Sequence, residues 1–372
     1  MPFATRSGSE VALHNLICYA ARKGLTVAVA CRSNGELLEQ LPPSVPVFVH
    51  ETSGIVRRSF ASLSRRVQRD ADGFPTLVHA KFKPDIWYVN TILQPWILSQ
   101  AAKKGIPSVL HTYELEQVFA RISEPETNIL VTSPRLVVAC SETARSVIHT
   151  LGRSERLEVN YPGIDPLSMK VETEKSRQLR KSLGIGDDTF LWIMAGTMDP
   201  NKNPLRFVEL AGEMLSRDLD LHFLWVASGH NGYSAYVRSK ARELGTSGKV
   251  TFVDASGADY YAWLNAADGA VITSFKESFS LVAAEAAHLG KPVVSFDSGG
   301  VKEIVREGMG KVIDSWNNAD LISAMISIMN GELFFDPAIA RARVQEFSIE
   351  VQGAQWLDIM RRHFADAGAS SL

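Results

Sequence analysis

Short apolar runs alternate with amphipathic stretches along most of the chain. Several of these runs are apolar on both faces, which is typical of strands buried beneath helices. The stretches Glu10–Lys23 and Leu93–Lys104 have the 3.6-residue periodicity of amphipathic helices. Gly24 and Gly105 follow them directly, and glycine commonly stands just past the end of a helix. The pattern predicts an α/β protein.

The alternation occurs in two blocks. The predicted strands are Leu25–Cys31, Val45–His50, Asp85–Asn90, Ile106–Thr112, Leu136–Ser141 and Leu157–Asn160 in the first block, and Phe190–Ala195, Leu221–Ala227, Lys249–Val253, Gly269–Ser274 and Pro292–Phe296 in the second. Strands that alternate with helices form right-handed βαβ units and parallel sheets. Two blocks therefore predict two doubly wound domains, with a cleft between them as the expected ligand site.

The segment between the blocks contains turn residues and then a polar stretch. Tyr161-Pro-Gly-Ile-Asp-Pro166 is followed by charged residues to about Asp188, a composition that predicts an interdomain linker.

The chain opens unusually for a doubly wound domain. Pro2–Glu10 has the composition of a loop and leads directly into a helix, where a strand is expected first. We therefore expect that a first strand is missing. That strand is normally central, so its loss would leave backbone ladder groups unpaired.

Composition narrows the class of protein. The 372 residues are 45% hydrophobic and 22% charged, with a net charge of −2, which argues against a nucleic-acid-binding protein. Neither a membrane-spanning run nor a signal-peptide pattern is present. Cys18, Cys31 and Cys140 form neither a metal-binding pattern nor a disulfide framework, and we expect a cytoplasmic protein.

The strongest chemical signal follows the predicted strand Gly269–Ser274. Glu277 stands in a short loop, Ser278 or Ser280 is placed to cap the next helix, and Glu285 lies in its early turns. Backbone N–H groups at a helix start bind phosphate well, and carboxylates beside them can hold sugar hydroxyls. Two isolated carboxylates are more often solvated or capping residues, so this spacing alone is a weak signal.

The surrounding motifs strengthen the signal, because together they resemble a known family. Glu277 and Glu285 are followed by Gly-Lys-Pro-Val-Val and Asp-Ser-Gly-Gly-Val-Lys-Glu-Ile-Val, as in the family 4 retaining glycosyltransferases. Gly8-Ser9-Glu10 opening a helix, the Asn160…Gly163-Ile164-Asp165 segment, Gly196-Thr-Met-Asp-Pro-Asn-Lys202 and Phe347-Ser-Ile-Glu…Trp356…Met360 extend the resemblance over nearly the whole chain.

The resemblance implies the GT-B fold, which consists of two Rossmann-like domains facing across a cleft. It implies an acceptor-binding domain at 1–165, a nucleotide-sugar-binding domain at 166–345, and a last helix at 346–372 that crosses back to the first domain. The implied reaction transfers a sugar, with retention, from a nucleotide diphosphate sugar to an acceptor hydroxyl. No cofactor or metal is expected, and the acceptor is a glycan, a lipid-linked glycan or a small molecule.

The family's functional residues carry over by motif position. Lys202 is implied to bind the donor diphosphate, Glu277 to orient the donor sugar, and Glu285 to bind the ribose. His111, which ends a strand, is implied to face the sugar, with Tyr113 as the alternative counterpart. The implied catalytic set is Glu277, His111 and Lys202. The implied donor-binding set is Gly8, Ser9, Gly196, Thr197, Lys202, Ser278, Phe279, Ser280, Leu281 and Glu285.

Two departures from the family pattern affect residues that are expected to bind the donor diphosphate. Thr197 stands where the family often has arginine, and Arg6 or Lys276 is a candidate to compensate. Ser278 and Ser280 stand where many members have glycine, and serine fits only where the backbone does not need a positive φ.

A basic amphipathic segment at Ile55–Arg69 allows a membrane-associated alternative. Val56, Phe60, Leu63 and Val67 share one helical face, with arginines beside them. A solvated face over a core stripe is the more common explanation, while contact with anionic lipid would suit a lipid-linked acceptor. Both explanations are kept, including contact of this segment with the inner face of the membrane.

Other functions remain open at this stage. They are a GT-B sugar phosphorylase, a nucleotide-sugar epimerase and a non-catalytic nucleotide-sugar-binding subunit. A Rossmann oxidoreductase is disfavoured, because no dinucleotide glycine fingerprint follows a strand.

Overall fold

The structure of the protein is a computed structural model that describes residues 7–50, 63–169, 171–217, 219–227, 232–254 and 257–365. Contacts divide the chain into two units. The first contains Met1–Ile164 and Ile349–Leu372, and the second contains Asp165–Ser348.

Helices and strands alternate in both units. In the first unit they are α1 (Gly8–Arg22), β1 (Val29–Cys31), α2 (Glu36–Glu39), β2 (Val47–Val49), α3 (Leu63–Phe82), β3 (Trp87–Asn90), α4 (Pro95–Lys103), β4 (Ser108–Thr112), α5 (Glu116–Phe119), α6 (Glu124–Thr132), β5 (Leu136–Ala139), α7 (Glu142–Thr150) and β6 (Leu157–Val159). In the second unit they are a 3₁₀ turn (Pro166–Met169), α8 (Thr173–Ser182), β7 (Phe190–Ala195), α9 (Pro204–Leu215), β8 (Leu221–Ala227), α10 (Gly232–Glu243), β9 (Val250–Asp254), α11 (Gly257–Ala266), β10 (Gly269–Ile272), α12 (Leu281–His288), β11 (Val293–Phe296), α13 (Val301–Ile304), β12 (Gly310–Ile313), α14 (Asn318–Met329) and α15 (Pro337–Gln345). The helix α16 (Ile349–Phe364) belongs to the first unit.

The strands of the first unit form two parallel sheets. β1 pairs with β2, and β3, β4, β5 and β6 pair in that order. Among the described residues no ladder joins β1 to β3. The predicted parallel α/β class is confirmed, while the missing first strand stays a prediction.

Helix α16 closes the core of the first unit by packing on α1. A Cβ atom at Gly353 would lie 2.6 Å from the Tyr19 ring, so glycine is needed for the two helices to approach this closely. The Asn160 side chain donates to the Gln352 carbonyl oxygen at 2.9 Å. Trp356 and Met360 are buried in the same cluster as Tyr19. Residues from the end of the chain therefore complete a core begun by its first helix.

The second unit contains one parallel sheet in the order β12-β11-β10-β7-β8-β9. The earliest of these strands, β7, lies beside β10 in the middle, and later strands extend outward on both sides. The strand order therefore reverses between β7 and β10. In open α/β sheets, ligands bind outside the carboxyl ends of the strands at such a reversal. The topology therefore places the expected ligand site of this unit at the carboxyl ends of β7 and β10.

The predicted linker is wrong over residues 173–182, which form α8. Ser176 Oγ donates to the Ala262 carbonyl oxygen at 3.1 Å, so α8 packs on α11. The buried Arg180 guanidinium donates to the Ala266 carbonyl at 2.9 Å and the Gly186 carbonyl at 2.8 Å. It also pairs with Asp268 at 2.9 Å. The helix is held by polar groups that point inward, and it is an integral part of the second unit.

Candidate donor-binding site

The loop after β7 is shaped by a glycine and an aspartate. Gly196 has φ +142°, a backbone conformation that favours glycine. One carboxylate oxygen of Asp199 accepts the backbone N–H groups of Asn201 at 2.8 Å and Lys202 at 3.0 Å. The exposed Thr197 donates its hydroxyl to the other oxygen at 2.6 Å. The loop therefore has a fixed turn that determines where Lys202 stands.

Lys202 reaches across the reversal point of the sheet. Its Nζ lies 2.7 Å from Glu277 Oε1, and the Lys202 and Glu277 side chains are 23% and 8% exposed. An ammonium has three donors, and Glu277 uses one of them. A positive charge that is partly open to solvent therefore stands at the carboxyl ends of β7 and β10.

Three further hydrogen bonds join the loops that carry this ion pair. Asn201 Nδ2 donates to the Lys276 carbonyl at 2.9 Å, and the Phe275 N–H donates to the Asn201 carbonyl at 2.8 Å. The Thr273 hydroxyl donates to the Lys202 carbonyl at 3.0 Å. The two loops therefore hold Lys202 and Glu277 as one assembly.

The turn after β11 supports Glu277 from behind. The Glu277 N–H donates to the Ser298 carbonyl at 2.8 Å, and the Gly300 N–H donates to the Glu277 carbonyl at 2.7 Å. A Cβ atom at Gly300 would lie 2.2 Å from the Ser278 carbonyl oxygen. Only glycine allows this approach of two backbones, and Gly300 thereby positions Glu277.

Helix α12 begins beside this assembly without a side-chain cap. Ser280 occupies the N-cap position, yet its side chain makes no capping hydrogen bond, so the predicted serine cap is wrong. Its φ is +91°, a region where serine is strained. Ser280 therefore stands at a position whose backbone conformation favours glycine. Phe279 is buried, with its ring 5.1 Å from the Phe347 ring. Leu281 opens the helix, whose predicted stop at Gly290 is confirmed by the glycine's φ of +74°.

Glu285 is held by two tyrosines from α11. Tyr260 Oη donates to Glu285 Oε2 at 2.6 Å, and Tyr261 Oη donates to Oε1 at 3.4 Å. Glu285 as a whole residue is 7% exposed. The structure thus brings Lys202 and Glu277 into direct contact, while Glu285 contacts Tyr260 and Tyr261. Sequence reasoning missed both tyrosines, which lie in an ordinary amphipathic helix, and it missed Asp199 and Gly300 although both lie in motifs it quoted.

Two candidate residues of the first unit, Gly8 and Ser9, lie at the start of α1. Gly8 and Ser9 form its first turn, and the N-cap is Ser7. The Ser7 hydroxyl donates to Glu10 Oε2 at 3.0 Å. A helix start with exposed Gly8 has N–H groups of the kind that bind anions.

His111 lies in β4 and is 2% exposed. Its Nδ1 lies 2.8 Å from Tyr88 Oη and 3.2 Å from Tyr113 Oη. Burial lowers the pKa of His111 to about 3, with a smaller opposing contribution from the Asn160 backbone. The imidazole is therefore neutral at pH 7, and both alternative residues, His111 and Tyr113, belong to one cluster.

Several sequence predictions fall wholly or partly outside the described residues. Arg6 and residues 55–62 of the basic segment lie outside them, and of residues 63–69 only the helical backbone is described. Lys276, the other candidate to compensate for Thr197, is exposed. Across the described ranges, no helix combines the length and apolar composition needed to cross a bilayer. In the same ranges, no cluster of three or more His, Cys, Asp or Glu side chains has a metal-binding arrangement.

Two α/β units with parallel sheets, one of which carries a lysine and a carboxylate at its strand reversal, have the architecture of the GT-B fold. The family model described as Glycosyltransferase Family 4 matches residues 6–166. The model described as Glycosyl transferases group 1 matches residues 175–348. The chain belongs to the family 4 glycosyltransferases.

Curated relatives include D-inositol 3-phosphate glycosyltransferases. The Nocardioides protein is 30% identical over 228 residues, which cover 57% of this chain and 49% of that protein. A second, from Catenulispora acidiphila, is 27% identical over 314 residues, covering 78% and 69%. The chain spans about half the length of several of the curated relatives it matches.

Similar solved structures share the fold. HepE of Anabaena in complex with UDP-glucose has a TM-score of 0.76 at 21% identity, covering 96% of both chains. Sucrose-phosphate synthase of Thermosynechococcus elongatus has a TM-score of 0.80 at 18% identity, covering 97% of this chain and 94% of that one.

Proposed function

We propose that the protein is a retaining glycosyltransferase that moves a sugar from a nucleotide diphosphate sugar to an acceptor hydroxyl. The observation that carries the proposal is the Lys202–Glu277 ion pair at the strand reversal of the second unit. The donor anomeric carbon would exchange its bond to phosphate oxygen for a bond to the acceptor oxygen. The acceptor proton would pass to the leaving phosphate.

The leaving diphosphate needs positive charge and hydrogen-bond donors. Lys202 has donors left beyond its bond to Glu277, and an ammonium held in place neutralises phosphate charge efficiently. The uncapped start of α12 adds the N–H groups of Leu281 and its neighbours. Gly196 and Thr197 would border the phosphates. The amides of Ser278 to Leu281, a stretch that includes Phe279 and Ser280, would contact sugar and phosphate.

The carboxylates of Glu277 and Glu285 can accept hydrogen bonds from the hydroxyl groups of the donor. Glu277, supported by Gly300, would orient the donor sugar, and Glu285 would bind the ribose while Tyr260 fixes its orientation. We assign to the first unit the remaining contacts, made by Gly8, Ser9 and His111. Since the positive charge comes from Lys202, we propose that the reaction needs no metal.

Calorimetric titration tests the donor site. UDP-glucose, GDP-mannose, UDP and GDP would be titrated into the wild type, Lys202→Met, Glu277→Gln and Glu285→Gln. The loss of a charged hydrogen bond should weaken binding roughly tenfold to a hundredfold. Lys202→Met should weaken nucleotide and nucleotide sugar alike. Glu277→Gln should weaken the nucleotide sugar more than the free nucleotide.

Lys249→Met is the matched control. Lys249 also pairs with a carboxylate, Asp220 at 3.3 Å, but it precedes β9 and so lies at the amino end of the strands. This variant should bind like the wild type. A folded Lys202→Met protein with wild-type affinity would refute the site assignment.

Assays of product formation distinguish glycosyl transfer from epimerisation, phosphorolysis and binding without turnover. D-inositol 3-phosphate, the substrate in the relatives' names, is the first acceptor to try, followed by glycans and lipid-linked glycans. Proton NMR of the product gives the anomeric configuration, and an inverted product would refute retention. Loss of activity in EDTA would refute metal independence. Epimerisation without acceptor, phosphorolysis, or binding without turnover would each replace the proposal with the corresponding alternative.

A further inference from the structure

Three aromatic side chains of the second unit form a stack that reaches the surface. The Trp316 ring stacks on the Phe296 ring, with the centroids 4.9 Å apart and an angle of 16° between the planes. The Phe275 ring stacks on the same Trp316 ring, at 5.6 Å and 28°. Phe296 is buried, whereas Phe275 and Trp316 are 45% and 40% exposed. This ring stack, made of Phe275, Trp316 and Phe296, therefore runs from the core to solvent.

The ring stack stands at the carboxyl ends of three strands. Phe296 is the last residue of β11, Phe275 comes shortly after β10, and Trp316 comes shortly after β12. These three strands are neighbours in the sheet. Ligands of open α/β sheets bind outside the carboxyl ends of the strands. The exposed rings therefore lie along the same edge of the sheet as Lys202 and Glu277.

Arg206 of α9 holds the ring stack in place. Its Nη1 donates to the Trp316 carbonyl at 2.9 Å and to Asn318 Oδ1 at 3.2 Å. Its guanidinium carbon lies 5.1 Å from the centroid of the Phe296 ring and 5.8 Å from that of the Trp316 ring, within the range of a cation–π interaction. Rings that are fixed before a ligand arrives lower the entropic cost of binding it.

The chemistry of the ring stack and its neighbours fits a sugar ring. The C–H groups on one face of a pyranose carry a small positive charge, and they pack against the negative face of an aromatic ring. The hydroxyl groups at the rim of the pyranose need polar neighbours. Exposed Lys276 follows Phe275 in the chain, and exposed Ser315 and Asn317 flank Trp316. Flat rings bordered by polar residues suit a pyranose better than a purely apolar ligand.

The order of side chains along the sheet edge indicates which sugar this is. Tyr260 lies in the first turn of α11, which follows β9 at the opposite end of the sheet from β12. Tyr260 contacts Glu285, the residue proposed to bind the ribose. Next along the edge come Lys202 after β7, for the diphosphate, and Glu277 after β10, for the donor sugar. The ring stack therefore lies past the expected position of the donor sugar, on the side away from the nucleoside.

We propose that the ring stack is a binding subsite for a pyranose ring of the acceptor, which packs against the exposed Phe275 ring. The inference rests on the proposed function, because a glycosyltransferase has to hold an acceptor hydroxyl next to the donor sugar. It narrows the acceptor from any compound with a hydroxyl group to a glycan or another molecule that carries a pyranose. Phe275 and Trp316 select the acceptor by shape, and they take no part in binding the nucleotide.

Saturation-transfer NMR on the whole protein tests the subsite. The probes are methyl α-D-glucopyranoside, methyl α-D-mannopyranoside and methyl β-D-galactopyranoside, each titrated without nucleotide. We expect at least one of them to receive saturation mainly at the C–H protons of one ring face. Phe275→Ala should lower the affinity for that probe about fivefold to tenfold, and Phe275→Trp should retain it. Phe334→Ala is the matched control and should bind like the wild type. Phe334 is 63% exposed but lies beside Gly308, which precedes β12 at the amino ends of the strands.

Calorimetric titration of the same variants with UDP and UDP-glucose supplies the second arm. Phe275→Ala should bind both like the wild type, and weakened UDP binding would show a nucleobase platform and overturn the proposal. It is also overturned if no probe binds the wild type, if Phe275→Ala and Phe334→Ala bind the probe equally, or if UDP-glucose displaces the probe from the wild type. Absence of nucleotide binding by the wild type would refute the proposed donor site, whereas the probe titration, made without nucleotide, decides on the ring stack alone.

Discussion

Ser280 gives the sharpest test of the local geometry at the start of α12. Its φ of +91° costs an L-residue about 1–2 kcal/mol, and its side chain makes no capping bond that would offset this cost. Ser280→Gly removes the Cβ atom and the strain. Glycine loses more conformational freedom on folding, which returns roughly 0.5–1 kcal/mol. We expect a net gain of about 0.5–1 kcal/mol in the free energy of unfolding.

Ser280→Ala is the matched control, because alanine keeps the Cβ atom. It should leave stability within about 0.5 kcal/mol of the wild type. The measurement is urea denaturation with an unchanged m-value, together with the melting temperature. For a unit of this size the glycine variant should melt roughly 1–4 °C higher. The reasoning is refuted if glycine destabilises the protein, or if alanine stabilises it as much as glycine does.

Three further predictions test other parts of the structure. Arg180→Met should lower the free energy of unfolding by about 3 kcal/mol, because it breaks the ion pair with Asp268 and removes the donor from buried carbonyl groups. The control is Arg177→Met, on the exposed side of α8, which should change the free energy of unfolding by less than about 0.5 kcal/mol. Urea denaturation measures both. Gly300→Ala should abolish donor binding in calorimetry, because its Cβ atom would displace the backbone beside Glu277. Gly232→Ala should bind normally, because no atom of the described residues lies within 4 Å of the Cβ position there. Normal binding by both variants would contradict the proposed support of Glu277. Burial lowers the pKa of His111 from 6.5 to about 3, so as pH falls the unfolded chain binds the proton before the folded chain does. The free energy of unfolding should therefore fall between about pH 6.5 and pH 3, by up to about 1.4 kcal/mol per pH unit. His111→Gln should flatten that part of the pH profile, and an unchanged slope would show that another group causes it.

The sequence predicted the strands where burial is continuous. β7 and β8 have the predicted bounds, because their apolar runs are long and end at polar or small residues. The short strand β12 was missed, since Gly310–Ile313 is only four residues long and includes the exposed Lys311. A short run without alternation contains too little of the two-residue period to be recognised.

Helix α8 was missed for a different reason. Its buried residues are Ser176 and Arg180, so the inward face is polar and hydrophobic periodicity gives no signal there. Local sequence patterns also failed to reveal one contact at the candidate donor-binding site. Glu277 and Lys202 were placed by motif, but the Tyr260 contact to Glu285 depends on how α11 packs on its neighbours, which no local spacing encodes.

The discontinuous first unit has a consequence for the order of events on the ribosome. The second unit, Asp165–Ser348, is one continuous stretch, and all of its residues precede α16 during synthesis. The first unit keeps the α16-facing side of Tyr19 uncovered until Gly353 and Trp356 have emerged. At roughly 5–20 residues per second, that delay lasts many seconds. The unit that is translated first is therefore the one that finishes folding last.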